Sequence, residues 1–362
     1  MQKRIPSARD LQLSDSANDC IKQFRHQTTT AETSRFPHIK IFAKNMEFIL
    51  QLFNGIIGIA LLYFGAEWLV KGSASLAKKA GISPLVIGLT LVAFATSAPE
   101  LVVSVNAALD GSPGISLGNV VGSNICNIAL ILGLSACITP LAVQKQLFKS
   151  DGIVMCASAI LLAVFYLVNN SLERWHGIIF LFGIIVYTWY LIYSSRKENS
   201  QKTEEEETSE KSCSIIKSLV LVILGFTALI FGAKLLLWSS VYFARLMQIS
   251  ESVVGLTIVA VGTSLPELAT SVVSAMKGEK DIAVGNVVGS NIFNILCILG
   301  ITPVITPLKN AQITPVDMGS MIGISLLLLL FMRTGWKISR KEGIFMLVLY
   351  AAYTAWLIID HA

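Results

Sequence analysis

The sequence predicts an all-α polytopic membrane protein with ten transmembrane helices, arranged as two inverted five-helix repeats with broken helices at the midplane. Three observations predict this fold: a strongly apolar composition, ten apolar segments of spanning length, and a motif that occurs twice. Of the 362 residues, 54% are hydrophobic and 14% are charged, and the mean hydropathy is +0.67. A soluble core of this size cannot bury so much apolar surface, which excludes a soluble globular domain.

Ten apolar segments reach the roughly 17–25 residues that a helix uses to cross the hydrocarbon layer. Because every backbone amide in lipid must be paired internally, these segments are predicted to be helices rather than open strands. The segments cover residues 47–70, 82–109, 114–138, 151–169, 174–193, 215–240, 251–276, 282–304, 317–333 and 342–360.

The basic residues between the spans predict how the chain is oriented. Sixteen Lys and Arg residues follow odd-numbered spans, whereas three follow even-numbered spans. Since cytoplasmic loops carry an excess of Lys and Arg, we expect a multi-pass protein of the plasma (inner) membrane with both ends of the ten-span region outside. Outside residues 1–45, nearly all basic residues lie in these loops and not in one patch on a folded face, so the formal net charge of +5 predicts no nucleic-acid partner.

The chain is predicted to divide into four regions. Residues 1–45 contain eight basic residues and no apolar signal segment, and we interpret them as a disordered or non-native extension, with a regulatory tail as the alternative. Residues 46–193 form the first five-helix repeat and residues 215–362 the second. Between them, residues 194–214 form an acidic linker that is expected to be cytoplasmic and flexible.

The cysteines and histidines, the residues that bind Zn²⁺ and similar metals, predict neither a metal centre nor an enzyme. Four of the six cysteines lie within spans without a CxxC pair, and the four histidines lie in the tails or, for His176, at the very start of a span. An intramembrane hydrolase with Ser97 or Ser264 as nucleophile would need a nearby base, and the plausible bases lie far along the chain from both serines. We therefore expect no enzymatic activity and no cofactor.

The two halves of the chain share one sequence pattern. Residues 93–133 align without a gap with residues 260–300, at a constant spacing, and 24 of the 41 positions are identical. Similar apolar composition does not explain the shared Thr, Ser, Pro, Glu and Asn. Because each half contains five spans, an odd number, the second half must enter the membrane with the opposite orientation.

Each repeat places a proline and a glutamate at the centre of a span, in "TSAPE" (96–100) and "TSLPE" (263–267). A proline within a helix costs about 3 kcal/mol, which predicts a break that frees backbone carbonyls. Glu100 and Glu267 follow these breaks, with no Lys or Arg near them along the chain. A buried carboxylate pair is forced toward protonation unless a cation neutralises it, so we expect one divalent ion or two monovalent ions here.

The third and eighth spans both contain "GNVVGSN", at 118–124 and 285–291. Ser123 and Asn127 are four residues apart and share a helix face, as do Ser290 and Asn294. Together with the glutamates and the freed carbonyls, these side chains provide only hard oxygen ligands, which favour Ca²⁺, Na⁺ or Mg²⁺ over Zn²⁺. Since Mg²⁺ retains its waters, Ca²⁺ and Na⁺ fit a dehydrated site better.

These doubled motifs resemble the two alpha repeats of the sodium/calcium exchanger family, within the cation/calcium antiporter superfamily, and especially its bacterial members. The resemblance covers about residues 47–360. It implies an antiporter that works by alternating access, in which Na⁺ moving down its gradient drives Ca²⁺ out without ATP or a redox cofactor. The expected partners are Ca²⁺, Na⁺ and the lipid bilayer, and we expect a monomer.

The resemblance also implies two kinds of ion site. The Ca²⁺ site would consist of Glu100 and Glu267 with the carbonyls of Thr96 and Thr263. The flanking Na⁺ sites would consist of Ser97, Ser123, Ser264 and Ser290, the carbonyls of Ala93 and Ala260, and Asn127 and Asn294. Many relatives carry Asp at the position of Asn294, and in potassium-dependent exchangers that acid is associated with K⁺, so K⁺ dependence is less expected here.

Two other transport functions stay open at this point. A Ca²⁺/H⁺ antiporter of the same fold is possible because a buried glutamate can alternate between a cation and a proton. A Ca²⁺ channel is the second, although inverted repeats with broken helices favour alternation. Outside the site, Glu67 is expected to pair with Lys71 four residues on, and Lys234 to extend toward the membrane surface or pack against a neighbour.

Overall fold

The fold is described from a computed structural model of the chain. The described residues are 37–200, 214–248 and 260–360, with side chains described over 45–197, 214–248 and 261–359. Most of the predicted extension (1–36) and most of the predicted linker (201–213) therefore lie outside the described residues.

The chain divides into two compact units, Met1–Phe53 and Asn54–Ala362. The described part of the first unit is entirely helical and forms the beginning of the first helix. The second unit holds the remaining described helices, the described strands and all predicted site residues.

Helices account for nearly all of the described chain. They are α1 (Pro37–Ala80), α2 (Pro84–Thr96), α3 (Ala98–Leu109), α4 (Pro113–Ile138), α5 (Leu147–Asn169), α6 (Arg174–Ser200), α7 (Ile215–Leu246), α8 (Ala260–Thr263), α9 (Leu265–Met276), α10 (Lys280–Ile305), α11 (Pro315–Arg333) and α12 (Arg340–Asp360). Among the described residues, eight helices are long and apolar enough to span a membrane, and the bent pair of α2 and α3 makes a ninth. The remaining predicted span, 251–276, begins outside the described residues and continues as α8 and α9.

The predicted breaks are present in both repeats. Helices α2 and α3 bend by 44° at Ser97 (φ −83°, ψ 2°), and Ser264 separates α8 from α9 with similar angles (φ −88°, ψ 10°). These angles lie in the sparsely populated bridge region. Pro99 and Pro266 each occupy the first turn of the helix after the break, where a missing N–H leaves no helical hydrogen bond unmade.

Four of the described helices contain a π-helical stretch, which nothing in the sequence predicted. These stretches are Gly88–Val92, Asn127–Leu132, Leu147–Asp151 and Asn294–Ile298. Two of them begin at predicted ligands, Asn127 and Asn294, which are equivalent positions of the two repeats. Because π-bulges widen a helix locally and occur frequently at functional sites, they direct attention to these two asparagines.

Among the residues that the structure describes, two short antiparallel strand pairs connect the repeats. The strands are β1 (Leu141–Ala142), β2 (Ser171–Leu172), β3 (Leu308–Lys309) and β4 (Lys337–Ile338). Strand β1 pairs with β4, with Leu141 opposite Ile338, and β2 pairs with β3, with Leu172 opposite Leu308. Each pair contains one strand from each repeat, so the backbone itself joins the two halves.

The helices that carry the GNVVGSN motifs form the centre of the fold. Within its most apolar stretch, 94% of α10 and 72% of α4 is buried, whereas α12 is buried over only 11%. The most buried helices therefore carry the polar motifs, and the exposed apolar faces belong to the outer helices, as expected for a protein surrounded by lipid.

One ion pair differs from its prediction. Glu67 accepts a hydrogen bond from Nζ of Lys277 at 2.6 Å instead of pairing with Lys71. Sequence spacing predicts ion pairs only between residues of one helix. Lys277 directly follows the last residue of α9, so its ion pair with Glu67 of α1 could not be predicted in this way. The predicted pairing of Glu67 with Lys71 was therefore wrong.

Candidate cation site

The two glutamates of the repeated Pro-Glu motif are fully buried. Glu100 and Glu267 have exposed fractions of 0%. Each lies in the first turn of the helix that follows its break, α3 or α9. Because the N-terminus of a helix carries partial positive charge, it favours a carboxylate there. The break therefore stabilises the glutamate that follows it, a contribution that the motif alone did not reveal.

Each glutamate accepts a hydrogen bond from a serine of the opposite repeat. Oγ of Ser97 donates to Oε1 of Glu267 at 3.0 Å, and Oγ of Ser264 donates to Oε1 of Glu100 at 3.1 Å. Both serines are the residues at which the helices break. This exchange of hydrogen bonds brings both carboxylates and both serines into one cluster formed by the two repeats.

The second oxygen of each carboxylate is left without a partner. Oε2 of Glu100 and Oε2 of Glu267 are buried and have no hydrogen-bond partner among the described residues. No cluster of three or more His, Cys, Asp and Glu side chains occurs in the described part of the chain. A cation held by the two carboxylates would therefore take its other ligands from hydroxyl, amide or carbonyl oxygens, the donors that Ca²⁺ and Na⁺ prefer.

The predicted threonine ligands end the helices before the breaks. Thr96, at the end of α2, is buried, and its Oγ1 donates to Oδ1 of Asn286 at 3.1 Å and lies 3.5 Å from Oγ of Ser290. Thr263, at the end of α8, is half-buried, and its side chain interacts with the carboxylate of Glu100. Thr263 therefore contacts the cluster directly, and Thr96 contacts the asparagine and the serine of the GNVVGSN motif in the second repeat.

Two further predicted ligands are the backbone carbonyls of Ala93 and Ala260. The carbonyl of Ala93 accepts the N–H of Ser97 at 3.0 Å and Oγ1 of Thr96 at 3.3 Å. The single hydroxyl hydrogen of Thr96 is shared between this carbonyl and Oδ1 of Asn286, so a cation at Ala93 would displace only this shared hydrogen bond. Ala260 is the first described residue of α8, and its side chain lies outside the described part.

The two predicted asparagine ligands have different surroundings. Nδ2 of Asn294 donates to Oγ of Ser123 at 2.9 Å and to Oδ1 of Asn124 at 3.0 Å, and its Oδ1 has no partner within the described ranges. Asn127, the equivalent residue, is also buried, but neither polar atom of its side chain has a partner there. Three buried amide atoms thus add to the unpaired polar groups of the site.

Sequence reasoning missed two asparagines that hold the glutamate backbone in place. Nδ2 of Asn119 donates to the carbonyl of Glu100 at 3.2 Å and to Oγ of Ser104 at 2.9 Å. Asn286 repeats the contact with the carbonyl of Glu267 at 3.4 Å. Both are the first asparagine of GNVVGSN, and their recurrence at equivalent positions of the two repeats is the signal that could have identified them.

This geometry agrees with comparisons to known proteins. A family model described as "Sodium/calcium exchanger protein" matches residues 51–193 and 217–359, which are the two repeats. The chain belongs to the sodium/calcium exchanger family. This membership and the observed helices confirm the predicted family and the predicted fold of two inverted five-helix repeats.

Similar exchangers and membrane proteins align over most of this chain. Sodium/calcium exchanger MaX1 of Methanosarcina acetivorans is 36% identical over 338 residues, covering 82% of this exchanger and 95% of the relative. Inner membrane protein YrbG of Escherichia coli is 34% identical over 295 residues, covering 80% and 89%. A solved structure of the sodium-calcium exchanger NCX_Mj has a TM-score of 0.74 at 36% identity and covers 85% of this chain and 99% of its own. This exchanger is therefore a multi-pass membrane antiporter that exchanges Ca²⁺ for another cation.

Proposed function

We propose that this exchanger couples the movement of Na⁺ down its gradient to the export of Ca²⁺ by alternating access. The observation that carries this proposal is the pair of buried carboxylate oxygens, Oε2 of Glu100 and of Glu267, that lack partners among the described residues. The solved NCX_Mj structures concern extracellular ion exchange, and they were obtained after soaking with Na⁺ and Sr²⁺ or with Na⁺ and Ca²⁺. Their similarity to this chain supports the same ions here.

Ca²⁺ binds between the two carboxylates, with Thr96 and Thr263 providing carbonyl oxygens at the breaks. Ca²⁺ takes about six to eight oxygen ligands, more than the two glutamates supply. The hydroxyls of Ser97 and Ser264 hold Oε1 of each carboxylate, which leaves Oε2 available to the ion. A cation in this position also removes the cost of burying two like charges.

Na⁺ binds in flanking sites that use weaker, neutral ligands. Oδ1 of Asn294 is a buried amide oxygen without a partner in the described ranges, and Asn127 is its equivalent in the first repeat. Ser123 and Ser290 lie beside these amides on their helices. Ser97 and Ser264 and the carbonyls of Ala93 and Ala260 complete the proposed set, and at Ala93 the ion would replace the hydrogen bond from Oγ1 of Thr96.

A Ca²⁺/H⁺ antiporter is the second candidate, because an unpaired carboxylate oxygen accepts a proton as readily as it coordinates a cation. The full-length protein in liposomes distinguishes the two functions. We expect an outward Na⁺ gradient to drive Ca²⁺ uptake at clamped pH, and a pH gradient without Na⁺ to drive none. Uptake driven by the pH gradient alone would replace Na⁺ by H⁺ in this proposal, and downhill flux without any counter-ion would indicate a channel.

Transport by this mechanism requires no ATP, no cofactor and no enzymatic step, so the same liposomes should support exchange with ions alone. We further propose that the protein acts as a monomer in the plasma membrane with residues 194–214 in the cytoplasm. Labelling of Cys213, the native cysteine of that linker, in a chain whose other five cysteines are replaced, tests the orientation in intact and in permeabilised cells. Labelling that is complete without permeabilisation would place the linker outside.

A further inference from the structure

We propose that Asn124 is a positioning residue that orients the amide of Asn294, so that Oδ1 of Asn294 stays available to the transported cation. This inference rests on the proposed function, in which Asn294 is a Na⁺ ligand. Asn124 belongs to the repeated GNVVGSN motif, but neither the sequence pattern nor the resemblance gave it a role. Its side chain is 2% exposed and contacts the second repeat.

A chain of hydrogen bonds fixes the direction of both amides. The backbone carbonyl of Asn291 can only accept, and Nδ2 of Asn124 donates to it at 3.4 Å. Oδ1 of Asn124 therefore faces the other way and accepts from Nδ2 of Asn294 at 3.0 Å. The same Nδ2 donates to Oγ of Ser123 at 2.9 Å. Both N–H groups of Asn294 are thus used, and Oδ1 is the atom that remains without a partner among the described residues.

The other end of this chain is also a backbone carbonyl. Oγ of Ser123 donates to the carbonyl of Val120 at 3.1 Å, so Ser123 accepts rather than donates in its contact with Asn294. If the amide of Asn294 flipped, so that its oxygen and nitrogen exchanged places, two hydrogen bonds would break and its oxygen would face two acceptors. The orientation of Asn294 is therefore determined by its neighbours.

The second repeat does not make the equivalent contacts. Nδ2 of Asn291, the counterpart of Asn124, donates to the carbonyl of Val287 in its own helix at 2.8 Å. Oδ1 of Asn291 and both polar atoms of Asn127 have no partner in the part of the chain that the structure describes. Asn291 is therefore a matched control: the same residue type in the same motif, without an amide to orient.

Transport in liposomes tests this role. We expect Asn124→Ala to raise the Na⁺ concentration for half-maximal Ca²⁺ exchange roughly 3- to 10-fold, the effect of losing about one hydrogen bond, with the maximal rate retained. Asn291→Ala should leave both values within about twofold of the wild type, since its hydrogen bond stays within one helix. In an Asn294→Ala background, the effect of Asn124→Ala should disappear.

Equal effects of Asn124→Ala and Asn291→Ala, or additive effects of Asn124→Ala and Asn294→Ala, would overturn the positioning role. If Asn124→Ala does not fold, Asn124→Leu takes its place in the same cycle, since it keeps the volume of the side chain but removes the acceptor for Asn294. Absence of Na⁺-driven exchange in the wild type would instead contradict the proposed function, so the two failures can be told apart.

The ion pair between Glu67 and Lys277 carries a second, independent inference. The constant spacing of the repeats relates Glu67 to Lys234 and Asp110 to Lys277. The signs are reversed, yet each pair combines one acid with one base. Asp110 and Lys277 also occupy the same structural position, directly after the last residue of α3 and of α9. The structure thus contains two equivalent candidate ion pairs of opposite polarity.

Only one of the two pairs is formed in the described part of the chain. Lys277 and Glu67 are 2.6 Å apart, whereas neither Asp110 nor Lys234 forms a salt bridge among the described residues. The position of Asp110 at the C-terminus of α3 does not stabilise its negative charge, because that end of a helix carries partial negative charge itself. The geometry points to an exchange: when the transporter opens to the other side of the membrane, Lys234 pairs with Asp110 and the bridge between Glu67 and Lys277 breaks. This step also rests on the proposed alternating access.

Cross-linking in the full chain tests the exchange. In a background without native cysteines that still transports, we expect a short bis-methanethiosulfonate reagent to link Glu67→Cys with Lys277→Cys, and separately Asp110→Cys with Lys234→Cys. Each link should block Ca²⁺ exchange until it is reduced. In the four-cysteine variant the two links should be mutually exclusive. Both links in one molecule, or no link between positions 110 and 234 in an actively exchanging protein, would overturn the inference.

Discussion

The chemistry of the site follows from a few atoms that lack partners. Oε2 of Glu100 and of Glu267 are buried, and nothing in the described part of the chain donates to them. Burying an unpaired charge costs several kcal/mol, so these oxygens require a cation or a proton. The sequence predicted both glutamates and their need for a counter-charge, because a carboxylate at mid-span usually marks an ion path or a partner charge.

Removing either carboxylate charge is expected to abolish Ca²⁺ transport. Glu100→Gln and Glu267→Gln keep the shape of the side chain but remove half of the compensating charge, so we expect Ca²⁺ flux in liposomes to fall by at least about 100-fold, equivalent to roughly 2.7 kcal/mol. As the control for folding, each variant extracted from membranes should elute as a single monodisperse peak in size-exclusion chromatography. Flux near the wild-type level in either variant would remove these residues from the site.

The exchange of hydrogen bonds between serine and glutamate makes a second prediction. Ser97→Ala removes a donor from Glu267, and Ser264→Ala removes one from Glu100. Because hydrogen bonds to charged groups contribute about 1.5–3 kcal/mol, each variant should weaken Ca²⁺ binding roughly 10-fold or more.

Binding is measured by isothermal titration of the purified protein. Ser158→Ala is the matched control, since this buried serine donates to the carbonyl of Met155 within its own helix and to no other atom of the described residues. If Ser97→Ala and Ser158→Ala bind Ca²⁺ equally well, the hydrogen bonds between the repeats do not contribute to the site.

The helix breaks were predictable because a residue close to each break determines it. Pro99 and Pro266 predicted the breaks, because proline acts on the turn that contains it. The sequence did not show that the helices would stop at Ser97 and Ser264, two residues earlier, so that each proline lies in the first turn of the next helix. That position also places each glutamate at a helix N-terminus, where the local dipole supports it.

Other elements depend on contacts that are distant in sequence. The strand pairs use two-residue segments from opposite repeats, and two residues carry too little pattern to predict a strand. The π-helical stretches at Asn127 and Asn294 likewise have no marker in a single sequence. Asn119 and Asn286 were predictable in principle, since they recur in both motifs, but their role as supports of the glutamate carbonyls became clear only from the structure.

The breaks themselves can be tested. Pro99→Ala restores an N–H in the first turn of α3, which lets α2 continue into α3 and moves Ser97 away from Glu267. We expect Ca²⁺ flux to fall roughly 10-fold, the loss of one hydrogen bond to a charged group, while thermal stability is retained or raised. Pro303→Ala, within the last part of α10, is the control and should transport normally. Unchanged flux in Pro99→Ala would show that transport does not depend on the break.

The whole molecule consists of two similar repeats that differ in detail. The constant spacing between the repeated motifs predicted the doubled fold, and the structure joins the halves through strand pairs and through serine–glutamate hydrogen bonds. The repeats are not identical in their contacts, since Glu67 has its ion-pair partner and Lys234 does not among the described residues. These differences are seen in one conformation of the protein. The sequence alone does not indicate which contacts form in which conformation.

The joint site between the repeats has one direct test. In crystals of the exchanger soaked with Sr²⁺ in place of Ca²⁺, an anomalous difference map shows where the divalent ion lies. We predict a single peak within coordination distance of both Oε2 of Glu100 and Oε2 of Glu267, slightly longer than the roughly 2.3–2.6 Å typical of Ca²⁺ because Sr²⁺ is larger. A peak bound to only one of these carboxylates, or a map with divalent ions only elsewhere, would contradict a site shared by the two repeats.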